Sequence, residues 1–425
     1  MSSRISKNRN RPSVGSMPNR SLAEPTSARR PVRVLIVDSA IAFGGTLVVA
    51  RNLLKHLDSR LVDASLVSAC ADGFVSPDFA GTAPIRMLSP GVDYVTLEKW
   101  KLAIQRHVRW GPLHRGIELM AMLAEFLANV PYMARLALLY HKLQVDVVHI
   151  NNYTTESFWA ARLLGIPIVY HLHGFTSSEL GGSGRRNFLH VEAFVSISRI
   201  VTESAVRAGI ARTRIFEIPN FVARIPEALP PPMPTIPAIG IFGRVTQWKG
   251  QMEFLRAVLQ VLPQFPDLRV YIVGDASDGD PQYFEACREL ARASPFADRI
   301  EFTGLVTDVA SYYRRCTVVV HASISPEPFG MVLIEAMAEA RPVVASIFGA
   351  AAEIIQDGVE GYLVDPRDAQ LMASRIAQLL ADPKLAIQMG RKGQDKVRAN
   401  YDPSVAAKEF EWLYCQVAQS EPALE

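Results

Sequence analysis

The residues best placed to do chemistry are concentrated in one stretch, Ser325-Pro326-Glu327-Pro328-Phe329-Gly330-Met331-Val332-Leu333-Ile334-Glu335-Ala336-Met337-Ala338. Pro326 and Pro328 keep Glu327 out of helical geometry and place it on a loop rim, while Glu335 falls a turn or two inside the helix that follows. Near Phe329, Gly330 and Met331 the backbone N–H groups have no intrahelical acceptor and face outward at the positive end of a helix dipole, a setting suited to phosphate. Upstream, Arg244 and Lys249 fall just past a strand end and ahead of a helix, so both cationic heads can converge on one anion, and two cations match a pyrophosphate. In the first half of the chain Gly44-Gly45-Thr46 opens a helix after a strand, where glycine lets the backbone approach an anion. His173 stands outermost at a strand end beside Gly174, a polar residue where open parallel sheets bind ligands. His171, on the same face but further in, is read as a core histidine.

Such side chains need strands that end where they begin. Val32–Asp38 is a continuous apolar run of the kind that parallel sheets bury, and a helix over 47–57 follows the glycine turn. Further strands are expected over 63–71, 145–152, 166–174, 194–198 and 215–222. In the second half they are expected at the start of the 238–250 stretch and over 268–275, 300–304, 316–320 and 342–346. Polar or glycine exits at the carboxyl ends are where open parallel sheets bind ligands. G-x-G-x-x-G is absent, so a dinucleotide-dependent dehydrogenase would lack its usual first turn. Small residues in Phe348-Gly349-Ala350-Ala351-Ala352-Glu353 let the backbone approach phosphate. Asp278-Gly279-Asp280 imitates a metal-binding D-x-D but sits in a Ser/Gly/Asp loop and is read as a turn.

The spacing Glu327-x7-Glu335 inside Pro-Glu-Pro-Phe-Gly resembles the signature of retaining glycosyltransferases of family four, the group 1 glycosyl transferases. The resemblance runs from about residue 32 to 418, and Arg244 with Lys249 stand upstream in the expected order. It implies an α/β GT-B fold of two Rossmann-like domains facing across a deep cleft, with a C-terminal helix crossing back to the first domain. Composition makes 1–30 a disordered basic tail and 225–238 a proline-rich linker, and the resemblance makes 31–224 an acceptor-binding domain, 239–403 a nucleotide-sugar-binding domain and 404–425 the returning helix. It further implies that Arg244 and Lys249 bind the donor diphosphate, that Glu335 accepts hydrogen bonds from the ribose, and that Glu327 contacts the donor sugar. His173 would face the transferred sugar, and Gly44 and Gly45 the donor phosphates and the acceptor. Phe221 stands where many relatives have glycine after Pro219-Asn220, a departure that bears on the local turn.

The expected partners are a nucleoside diphosphate sugar and a glycan or lipid-linked acceptor, with no cofactor, no metal and no nucleic acid. Composition agrees. A chain of 425 residues with 49% hydrophobic content suits two domains, and a net charge of +3 is too small for an electrostatic nucleic-acid binder. Four scattered cysteines without C-x-x-C suggest neither zinc nor a disulfide framework and fit a reducing, cytoplasmic setting. Residues 94–143 interleave Lys99, Lys101, Arg106, Arg109 and Arg115 with Trp100 and Trp110, and an apolar segment broken by Pro131 follows. That stretch reads either as a surface lying on the cytoplasmic face of an anionic membrane or as ordinary helices packed on the sheet. Two other functions stay open: a catalytically idle sugar- or nucleotide-binding scaffold, and a GT-B nucleotide-sugar epimerase. A hydrolase using Glu327 and Glu335 as nucleophile and acid leaves Arg244 and Lys249 unexplained.

Overall fold

β1 (Val32–Asp38) forms where the apolar run predicts it, and both neighbours lie parallel to it. The computed structural model describes residues 30–39, 45–69, 85–88, 127, 129–152, 154–176, 188–226, 233–276 and 280–419. The basic tail, Gly44, the basic and tryptophan-bearing part of 94–143, the middle of the proline-rich linker, and Asp278 with Gly279 lie outside the described residues.

The first sheet comprises β1, β2 (Val62–Ser68), β3 (Ile85–Met87), β4 (Val147–Ile150), β5 (Ile168–Leu172), β6 (Ala193–Ser196) and β7 (Ile215–Glu217). The second comprises β8 (Ala238–Phe242), β9 (Arg269–Val273), β10 (Ile300–Gly304), β11 (Val318–His321), β12 (Val343–Ser346) and β13 (Gly361–Val364). Their orders are β3-β2-β1-β4-β5-β6-β7 and β10-β9-β8-β11-β12-β13, so each sheet reverses direction once, between β1 and β4 and between β8 and β11. That reversal opens a crevice at the carboxyl ends of the two central strands, because the connections on its two sides leave toward opposite faces. The chain is therefore a GT-B molecule, two doubly wound α/β layers built on parallel sheets.

Several elements differ from the sequence reading. β7 stops at Glu217, and Phe221 is 1% exposed in the first core, so the residue in place of glycine packs instead of turning. Pro131 does not break a helix: among the described residues 127 and 129–143 are helical, on both sides of it. Tyr132, Leu136 and Tyr140, four residues apart, turn one face of that helix into the core, while Leu138 is exposed. Among the described residues no helix is long and apolar enough to cross a membrane. The helix Pro383–Asn400 was not expected. It crosses Met331–Ala338 closely enough that a Cβ on Gly390 would lie 2.0 Å from the Ala340 carbonyl oxygen.

The last helix, Pro403–Gln419, follows the helix that packs on Met331–Ala338 and itself packs on the first sheet, burying Phe410, Leu413, Tyr414 and Val417 against β1, β4 and β5. Its carboxylate Glu411 accepts from the Asp58 N–H at 2.6 Å, and the Tyr414 hydroxyl lies 2.5 Å from His149 Nδ1. Phe410 lies against His149 and His171, with ring centroids 5.6 Å from each. Phe410→Ala empties a buried aromatic site and is expected to cost about 3–5 kcal/mol, read as a lowered urea midpoint with an unchanged slope.

Candidate active site

In the second sheet the crevice is flanked by the exits of β8 and β11. Gly243 leaves β8 at φ +119°, and the loop then returns through Gly250 at φ +73° into the helix Gln251–Val261. A Cβ on Gly250 would stand 1.9 Å from the Ala322 carbonyl oxygen, and the Ile324 N–H donates to the Trp248 carbonyl at 2.9 Å. The loop that carries Lys249 is thus clamped against the segment that follows β11, which is why side chains distant in sequence share one spot.

Glu327 occupies that spot. Its Oε1 accepts from Lys249 Nζ at 2.5 Å, and its Oε2 accepts from His321 Nε2 at 2.5 Å and from the Ser323 hydroxyl at 2.8 Å. The carboxylate is not on an open rim as the flanking prolines suggested: its side chain is 12% exposed and that of Lys249 14%. Burial pushes the carboxyl up, but His321 and Lys249 beside it outweigh burial and hold it well below the usual carboxylate range. The backbone is equally fixed. A Cβ on Gly349, at φ +78°, would come within 2.3 Å of Glu327 N and O, and the Ala350 N–H donates to the Glu327 carbonyl at 2.9 Å. Gly349, among the small residues after β12, thus makes room for Glu327's own backbone.

Arg244 is exposed, and its side chain makes no hydrogen bond or ion pair among the described residues. Lys249 pairs with Glu327 and lies 4.3 Å from the Trp248 ring, so the two cations do not face one another as a bare pair. An ammonium has three donors, and Lys249 can keep Glu327 while reaching a ligand. Gly330, at φ +105°, caps the helix Met331–Ala338 without a side-chain partner; the Leu333 N–H donates to the Gly330 carbonyl at 3.0 Å, and the Met331 and Val332 N–H groups have no acceptor among the described residues. Phe329 is buried and meets the Tyr401 ring edge-on, which leaves only its backbone for ligand contact. Met331 packs against the cores of both halves. Glu335, in the second turn, accepts from the Tyr313 hydroxyl at 2.8 Å, and burial raises its carboxyl while that bond lowers it.

Across the cleft, Gly45 begins the helix Gly45–His56, and a Cβ there would meet nothing within 4 Å. His173 lies just past β5, its Nε2 2.9 Å from Asn151 Oδ1 and its ring 4.0 Å from that of His171. Burial pushes the His173 imidazole down to about 3. Asp38 and Asn151, at the exits of β1 and β4, stand at the reversal of the first sheet. The halves meet beside these groups. The Ser198 hydroxyl donates to the Pro328 carbonyl at 2.6 Å, and Glu353 accepts from the Arg199 and Ile200 N–H groups at 2.8 and 3.0 Å, so one half caps a helix of the other. Sequence reasoning missed His321, Ser323, Tyr313, Asp38, Asn151 and Glu353. Asp38, Asn151 and His321 carried a visible signal, as strand-end polar residues. Asp280 caps the helix Pro281–Arg292 through the Tyr283 N–H at 2.9 Å, and no group of three metal-ligating residue types occurs among the described residues.

Known proteins show the same organisation. Residues 236–382 match the family described as glycosyl transferases group 1, and residues 43–224 match glycosyltransferase family 4. The phosphatidyl-myo-inositol mannosyltransferase of Mycobacterium leprae is 31% identical over 287 residues, 65% of this chain and 74% of that one. A lipopolysaccharide core biosynthesis mannosyltransferase of Rhizobium leguminosarum bv. viciae is 37% identical over 163 residues, 38% of this chain and 46% of its own length. Among solved structures, Anabaena HepE in complex with UDP and glucose superposes with a TM-score of 0.70 at 21% identity, covering 90% of this chain and 99% of that one. At that identity the likeness is one of fold.

Glu327→Gln removes the charge that Lys249 and His321 neutralise and is expected to cost about 1.5–3 kcal/mol of stability at pH 7. Because the folded carboxyl is depressed, its contribution is full above the unfolded value of about 4.3 and fades as pH falls below that. Urea unfolding of the two proteins should therefore show a gap that is constant from pH 7 to 5 and narrows toward pH 3.

Proposed function

The chain belongs to the group 1 glycosyltransferases of family 4, and from that membership we propose that it moves a hexosyl group from a nucleoside diphosphate donor to an acceptor hydroxyl with retention. The assembly of a polysaccharide or glycolipid is the setting this reading gives it. The observation that carries the mechanism is the state of Glu327, whose oxygens are both taken by Lys249, His321 and Ser323. A carboxylate held ionised by three donors is a poor nucleophile for an anomeric carbon and a poor base. Retention then runs on one face of the sugar: the bond to the diphosphate breaks, the acceptor oxygen bonds to the same face, and the departing phosphate takes the hydroxyl proton.

Leaving-group charge is met by Arg244, by Lys249 and by the N–H groups that open the helix Met331–Ala338, which sit in place before the charge develops. These supply the positive charge that a divalent metal supplies elsewhere, and the proposed reaction needs none. Glu327 fixes Lys249 and contacts the donor sugar, Glu335 receives the ribose hydroxyls, and His173 and the Gly45 turn face sugar and acceptor from the other half. The two mannosyltransferase relatives are named for lipopolysaccharide core and phosphatidyl-myo-inositol, and this supports a glycan or lipid-linked acceptor here.

Incubation with α-configured UDP-, GDP- and ADP-hexoses and candidate acceptors, followed by measurement of nucleoside diphosphate release and NMR of the product, tests the reading. An α-linked product is expected. A β-linked product would overturn retention, and no release from any donor would leave the idle-scaffold reading in its place.

A further inference from the structure

We propose that Asp38 and Asn151 are positioning residues that lock His173 as its Nε2–H tautomer and so turn the Nδ1 lone pair toward the cleft. The placing of His173 at the transferred sugar rests on the function proposed above; the lock itself does not.

The argument begins with the Asn151 amide. Its Nδ2 lies 2.6 Å from Asp38 Oδ2 and 3.1 Å from the Thr46 carbonyl oxygen. A carbonyl can only accept, so the amide end that faces Thr46 is the NH2 group, and a flipped amide would set its oxygen against two acceptors. The other end, Oδ1, is then the atom 2.9 Å from His173 Nε2, and that nitrogen must carry the proton. Asp38 is itself held. Asn152 Nδ2 donates to its second oxygen at 3.0 Å and lies 3.0 Å from the Thr46 hydroxyl, tying the arrangement to the start of the Gly45–His56 helix. Asp38 and Asn151 are 0% and 1% exposed, so no water exchanges with these bonds freely.

The remaining nitrogen, Nδ1, makes no hydrogen bond among the described residues. It carries a proton only if the ring is an imidazolium. The rings that touch it offer that form no counter-charge: the His171 ring is tilted against it at 4.0 Å, His149 lies behind His171, and the Asn151 amide stands between it and its bonded Asp38 oxygen. Burial acts in the same sense. At neutral pH His173 therefore accepts at Nδ1 and has no proton to give there. It can orient a sugar hydroxyl, and it leaves proton transfer to the departing phosphate.

The test uses the full chain labelled with 15N-histidine and long-range 1H–15N spectra from pH 5.5 to 8.5, with His173→Gln identifying the signal. The expected result is a neutral Nε2–H ring across the range. In Asn151→Leu the same signal should move toward the other tautomer, with kcat falling about tenfold and the donor KM unchanged. An Nδ1–H tautomer or an imidazolium at pH 7 in the unaltered protein overturns the lock, and so does an unchanged spectrum in Asn151→Leu. If that variant does not fold, the unaltered protein's spectrum decides alone. The expected tautomer together with unchanged turnover in His173→Gln would keep the lock and remove His173 from the sugar.

Discussion

A carboxylate nine-tenths removed from water must be neutralised, and the way Glu327 is neutralised organises the second half of the molecule. Its partners come from three places: Lys249 from the β8 exit, His321 from the end of β11, and Ser323 from the segment beyond it. None of them reaches Glu327 unless the loops lie almost in backbone contact. Three glycines permit this. Gly250 lies on Ala322, Gly349 on Glu327 itself, and Gly243 turns the chain out of the sheet. The cost of burying the charge is offset only by this complete set of donors, because a buried pair that loses one partner leaves an uncompensated ion. The proposed chemistry follows from the same constraint, with Glu327 read as a fixed negative charge that holds a lysine.

The two halves are then brought to face one another by polar contacts at the crevice and apolar contacts behind it. Glu353 supplies the anion that the helix Arg199–Arg207 needs at its N-terminus, and Ser198 reaches the Pro328 carbonyl next to Glu327. Behind them Met331 touches both cores, and the last helix, following one packed on Met331–Ala338, lies on the first sheet. Because the Ser198–Pro328 contact adjoins Glu327 directly, a shift of one half against the other would be felt there at once.

Much of this was legible in the sequence, for identifiable reasons. Continuous apolar strands with polar exits announce buried parallel sheets, and the acids, cations and glycine turns that follow strand ends are local in sequence and so visible. Lys249 and Glu327 were both recognised, but not that they pair, because that contact depends on the close approach allowed by Gly250. Ser323 and Tyr313 escaped notice since a lone hydroxyl in a loop or a tyrosine on a helix carries no pattern. Asp38 and Asn151 became neighbours only through the register that sets Val37 beside Ile150. Phe221 and Pro131 misled because each was judged by the local rule for its residue type, whereas Phe221 packs in the core and the residues on both sides of Pro131 are helical.

The central claim is that Lys249, held by Glu327 beside the N-terminus of the helix Met331–Ala338, belongs to a diphosphate site. Titration calorimetry of UDP, GDP and ADP with the protein and with Lys249→Ala, in the presence of a chelator, tests it most directly. The account predicts that at least one of the three binds without metal and that the variant binds it about 10- to 100-fold more weakly. Binding that is unchanged in the variant, or that vanishes with the chelator, would contradict it.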